Sequence, residues 1–139
     1  MKKLIYTFII LFISSNIAFA KSDFIQEGIN LYNIDKYEDA KFKFEQDLVF
    51  NPKSELSYLY LSKIFNKQDK KNLEEQNLKT VILLNPKNDE AIYSLAKLKL
   101  SSSDNKKSSE LIERLKLICT KFCSKSDKLK IEIENLSRK

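Results

Sequence analysis

The chain has 139 residues, 32% of them charged, and a formal net charge of +6. It contains no His and a single Gly, Gly28, which excludes Ser-His-Asp chemistry, His metal ligands, haem attachment of the CxxCH kind and the Gly-rich loops that cradle phosphates. Little Gly and Pro among many charges is the composition of helices joined by short turns.

The first twenty residues, MKKLIYTFIILFISSNIAFA, read as a segment apart. Lys2 and Lys3 give a positive start, Leu4 to Ile13 an apolar core, and Ala18-Phe19-Ala20 a small-x-small cleavage site. An apolar run of about ten residues is half of what a spanning helix needs. The pattern predicts a signal peptide cleaved after Ala20, a chain that starts at Lys21, contact with the membrane only in transit, and a periplasmic or secreted product. Lys21 stands where a lipoprotein would need Cys. The basic excess lies late: Lys97 to Lys139 holds 12 basic and 6 acidic residues. Export argues against nucleic acid as the partner, leaving a solvated surface, an anionic envelope surface or an acidic partner.

From Asp23 onward apolar residues recur at spacings of three and four. Asp23, with Gln26 three residues on, predicts the start of a helix carrying Phe24, Ile25, Gly28, Ile29, Leu31 and Tyr32. Asp35, three before Glu38, predicts a second start, with Tyr37, Ala40, Phe44 and Leu48 on one stripe and Pro52 closing it. Ser54 predicts the cap of a third helix through Tyr58, Leu59, Leu61, Ser62 and Phe65. Asp69 predicts that of a fourth through Leu73, Leu78, Val81, Ile82 and Leu84, closed by Pro86. Asn88 opens a third pair, Ile92 to Leu98 and then Leu111 to Ile118. A last helix is expected over 127–136, capped by Ser124 or Ser126, with Leu129, Ile131, Ile133 and Leu136 as its apolar residues.

The pairs repeat. Asn51-Pro52-Lys53 returns as Asn85-Pro86-Lys87. The spacing from Pro52 to Pro86 and the helix-turn-helix unit resemble the tetratricopeptide repeat, whose period is about 34 residues. Gly28, Tyr37, Ala40, Phe44 and Pro52 match it in the first repeat. Tyr58, Leu61, Ser62, Leu78, Val81 and Pro86 match in the second, and Ile92, Leu95, Ala96, Ser108, Ile112 and Leu115 in the third. Lys71 and Glu74 depart from the expected aromatic and small residue, and Asp47 from a small one. The resemblance implies an all-α fold, helix-turn-helix repeats stacked as a short right-handed superhelix. It divides the chain into a signal peptide over 1–20, repeats over 21–54, 55–88 and a degenerate 89–122, and a capping helix over 123–139.

Two cysteines, Cys119 and Cys123, stand four apart. Residues four apart on one helix keep their Cβ atoms about 5–6 Å apart, and a disulfide wants about 3.5–4.5 Å. A bridge between them therefore requires the helix to end there. In an exported chain the expectation is a disulfide that staples the capping helix to the third repeat; free or metal-binding thiols and a redox pair are the alternatives.

Tetratricopeptide arrays bind protein segments in the concave groove lined by the first helix of each pair. Carried onto this chain, the resemblance implies groove positions Ile25, Ile29, Tyr32, Leu59, Lys63, Asn66, Tyr93 and Lys97. Where some members clamp a peptide's terminal carboxylate, this chain has Ile25, Ile29, Tyr60, Glu90 and Ser94, so that clamp is missing. The expectation is a non-enzymatic adaptor or scaffold without cofactor or metal. It would bind an apolar or acidic segment of a partner protein, a second copy being the other candidate partner. The competing reading is an envelope redox or assembly factor that uses Cys119 and Cys123.

Overall fold

A computed structural model describes residues 20–137, so the expected signal peptide lies outside the described residues. They form seven helices: α1 Ala20–Asn33, α2 Tyr37–Phe50, α3 Glu55–Lys67, α4 Lys71–Leu84, α5 Asp89–Ser101, α6 Asn105–Lys116 and α7 Cys123–Ser137. The chain divides into two compact units, with the boundary between Ser57 and Tyr58.

In the first unit α1 packs on α2. Gly28 permits it: a Cβ there would stand 2.8 Å from Cε1 of Phe44, a ring that is itself fully buried. Ala40 is buried beside it on the same helix as Phe44. Phe24 stacks on Phe50 with centroids 5.9 Å apart, and Tyr32 meets Tyr37 edge-on at 5.4 Å. Asp47, buried at 1% exposure, accepts a hydrogen bond from Ser57 Oγ at 2.6 Å. Ser57 N–H in turn donates to Ser54 Oγ at 3.4 Å, and Ser54 Oγ donates to Ser57 Oγ at 3.0 Å. A carboxylate at a small-residue position is thus answered by a hydroxyl from the start of α3.

In the second unit α5 packs on α4, α6 and α7, and α6 on α7. One apolar cluster runs through it, from Leu59, Leu78 and Val81 to Ile92, Leu95 and Ala96, then Leu111, Ile112 and Leu115, and finally Leu129 and Ile133. Ser108, at the position that Ala40 holds in the first repeat, is buried and donates from Oγ to the Ala96 carbonyl at 2.8 Å. On α7 Ile133 and Leu129 face the core while Ile131 and Leu136 are exposed, as a helix of 3.6 residues per turn requires.

The helix starts correct several expectations. The Asp23 start is overturned because α1 already runs at Ala20. Asp35 and Asp69 are not N-caps; Lys36 and Lys70 hold those places, without a side-chain cap bond. Asp35 and Asp69 instead end the preceding helices with φ of 60° and 52°, and Ser103, one repeat beyond Asp69, does the same at 60°. In each turn the next residue's N–H reaches back five: Lys36 to Leu31 (3.0 Å), Lys70 to Phe65 (2.9 Å) and Asp104 to Lys99 (2.9 Å). This is the Schellman closure, with Asp or Ser where Gly is usual. Asn88 does cap α5, accepting from Ala91 N–H at 2.8 Å. The last helix starts at Cys123 rather than 127, with Ser126 inside it donating to the Cys123 carbonyl at 2.8 Å.

Candidate functional site

The expected groove residues divide between the two units. In the first, Ile25, Ile29 and Tyr32 on α1 are half-buried. In the second, Leu59 lies in the apolar cluster and is 6% exposed. Asn66 is committed to the protein itself: its Nδ2 donates to both carboxylate oxygens of Glu74 at 3.1 Å. Glu74 occupies the position of Ala40 and Ser108 and is only 4% exposed. Burial pushes its carboxyl above the ordinary range, against the opposing pull of the Asn66 hydrogen bond and the Lys97 charge.

Lys63, Tyr93 and Lys97 remain on the surface of the second unit, with neighbours that the sequence did not point to. Lys63 Nζ pairs with Glu90 of α5 at 2.8 Å and sits 4.8 Å over the Tyr60 ring. One turn past Glu90, Tyr93 packs on Phe122 with centroids 5.4 Å apart, and Lys125 Nζ lies 4.7 Å over Phe122. The result is two runs of contacts, Tyr60–Lys63–Glu90 and Tyr93–Phe122–Lys125, carried next to each other by α5, where Glu90 and Tyr93 are three residues apart, with exposed Lys97 a turn further along. Helical spacing makes Glu90, Tyr93 and Lys97 legible as one face. Phe122 and Lys125 were not, because they arrive through the loop after α6.

That loop is doubly fixed. α6 ends at Lys116 and α7 begins at Cys123, so the helix ends before Cys119. Cys119 and Cys123 are disulfide-bonded with Cα atoms 5.4 Å apart, inside the range a bridge accepts. Asp89, in the first turn of α5, accepts from Thr120 N–H (2.9 Å), Lys121 N–H (2.8 Å) and Thr120 Oγ1 (3.1 Å). Partial burial pushes the Asp89 carboxyl up, but these donors outweigh it and leave its pKa below the ordinary value. No group of three or more His, Cys, Asp or Glu among the described residues is placed to hold a metal ion.

The positive-φ turns at Asp35, Asp69 and Ser103 carry the Pro52-to-Pro86 period through three successive helix pairs. This is a tetratricopeptide-repeat fold. Solved structures agree. The Yersinia enterocolitica type III secretion chaperone SycD, in complex with a peptide of the translocator YopD, superposes with a TM-score of 0.74 at 16% identity, over 84% of this chain and 93% of that one. The first tetratricopeptide domain of Spaghetti (RPAP3), bound to an HSP90 peptide, gives 0.76 at 12% identity over 86% and 94%. The Sgt2 domain of Aspergillus fumigatus gives 0.74 at 15% over 86% and 83%. No protein-family model matches the chain, and no curated protein matches it either. At these identities the likeness concerns the fold.

Proposed function

We propose that the chain is a non-catalytic adaptor that binds an extended segment of a partner protein on the α3–α5 face of its second unit, outside the cytoplasm. The observation that carries this reading is the run of half-exposed rings and ammonium groups from Tyr60 through Tyr93 and Phe122 to Lys125, with Lys97 beside it. Rings give apolar contact at low entropic cost, and the lysines select acidic residues in the segment. Two proteins of this fold, SycD and RPAP3, hold peptides in their structures, which supports the same use here. Pairing with Glu90 neutralises Lys63, so Lys97 and Lys125 are the cations left for a ligand. The Cys119–Cys123 bridge serves this face by setting where Phe122 arrives, a structural part rather than a redox one.

A display library of extended peptides, panned on the chain and followed by anisotropy with the enriched sequences, tests the reading. Acidic and apolar residues should be enriched, with binding weakened by salt. Lys97→Glu should lower affinity about tenfold while Lys106→Glu, on α6, leaves it unchanged, in line with the loss of a charge contact at an interface. Enriched peptides indifferent to Lys97→Glu, or no enrichment at all, would refute this site. The export part rests on the N-terminal pattern and the cysteine pair. Intact mass of protein recovered from the envelope fraction should correspond to a chain starting at Lys21; a mass that retains residues 1–20 would overturn it.

A further inference from the structure

The ends of the second helices carry a feature that peptide binding does not use. Val49, Leu83 and Leu117 recur at the repeat period, and each is an aliphatic side chain left in solvent, 78%, 80% and 86% exposed. Four positions after each comes an exposed lysine: Lys53, Lys87 and Lys121. Among the described residues none of these three lysines has a carboxylate within ion-pair distance.

In the second unit, two of these pairs are brought to one edge. Arg114 donates to the Pro86 carbonyl at 2.7 Å, and the Thr120 and Lys121 amides donate to Asp89 at 2.9 and 2.8 Å. The turn at 85–88 and the loop at 117–122 therefore lie side by side, Lys87 on the turn and Leu83 in the last turn of α4 that leads into it, with Leu117 and Lys121 on the loop. Nearby carboxylates are already engaged: Asp89 by the loop amides, Glu90 by Lys63 and Glu113 by Lys130.

We propose that this edge docks on an anionic lipid bilayer, with Leu83 and Leu117 entering the interfacial layer and Lys87, Arg114 and Lys121 meeting the headgroup phosphates. Two leucines this far in solvent are tips, suited to a soft apolar layer. The charge decides the occupant. A two-fold contact between copies through this edge would set the three cations of one against the same three of the other, whereas an anionic surface complements them. Each basic residue near such a surface strengthens binding by about fivefold. The docking edge adjoins the peptide face through the 117–122 loop but uses none of the residues assigned to that face, and it is read by lipid contact rather than peptide affinity, so the two readings are tested apart.

The chain holds no Trp, so a single introduced one reports its own surroundings. Leu83→Trp and Leu117→Trp are made in the full chain, with Asn72→Trp, an exposed position at the opposite end of α4, as the control. Vesicles of phosphatidylethanolamine with phosphatidylglycerol should shift the emission of the Leu83 and Leu117 reporters to the blue, and brominated lipid should quench them. The Asn72 reporter should not respond, nor should any respond to pure phosphatidylcholine. Adding Lys87→Glu and Lys121→Glu should reduce the apparent affinity at least tenfold. The proposal is overturned by silent reporters at Leu83 and Leu117 on anionic vesicles. It is equally overturned by an equal shift at Asn72, which would mean the membrane takes up the chain by another route. A blue shift that grows with protein concentration in the absence of lipid would also overturn it, in favour of a second copy.

Discussion

Glu74 sits where the neighbouring repeats place Ala40 and Ser108, and it stays buried there because Asn66 reaches it from α3. Its raised pKa fixes the sign of a pH effect. The folded state holds the Glu74 proton more tightly than the unfolded chain does. The penalty for ionising it therefore appears as pH rises through the carboxylate range and is complete above the folded-state pKa. Glu74→Gln keeps an acceptor for Asn66 and removes that penalty. The variant should be more stable than the parent at neutral pH, with the advantage fading towards about pH 4 in urea titrations. A variant less stable at neutral pH would show that the carboxylate charge itself is needed. The sequence shows that Glu74 and Asp47 break the small-residue pattern. It does not show the remedy, because Asn66 and Ser57 are ordinary polar residues until the helices bring them within hydrogen-bond reach.

At the scale of the element, the informative positions are the turns. The alternation of polar runs and apolar stripes marks all seven helices, but Asp35 and Asp69 look like starts when they are ends. Their φ values near 60° place them in the left-handed region, which costs a non-glycine residue about 1–2 kcal/mol. Ser103 has no local sequence signal for this role beyond its place, one repeat past Asp69. Ser103→Gly relieves the strain at the expense of unfolded-state freedom, for a net gain of about 0.5–1 kcal/mol. A urea midpoint that does not rise would mean that the Ser103 backbone is not held there in solution. The loop after α6 behaves differently, since Asp89 and the disulfide both hold it. Changing Cys119 and Cys123 both to Ser should therefore cost no more than about 2 kcal/mol, the closure entropy of so short a loop. A larger loss in denaturant unfolding would mean that Asp89 cannot hold the loop alone.

For the whole molecule, the repeat period is legible in the sequence alone, because Pro52 and Pro86 and the small residues Gly28, Ser62 and Ala96 keep its phase. Less legible was how unevenly the core is shared. Of the described hydrophobic residues that are buried, Ala40 and Phe44 belong to the first unit and the other seventeen to the second. The reason is local: α2 spends Asp47 on a core position and leaves Phe42, Val49 and Phe50 exposed, while α5 buries Ala91, Ile92, Leu95, Ala96, Leu98 and Leu100. Repeat proteins are stabilised by each unit and its immediate neighbours, so unequal cores make unequal openings. Amides of α1 and α2 should exchange through a partial opening at a free energy a few kcal/mol below that of α4 to α6, where exchange should need global unfolding. Hydrogen exchange at rising, sub-denaturing urea separates the cases. The α1–α2 amides should be nearly independent of urea at first and merge with the global isotherm later, while the α5 amides follow the global slope throughout. A single common free energy across both units would instead show that they unfold as one, and that the first unit draws stability from something other than its own buried residues.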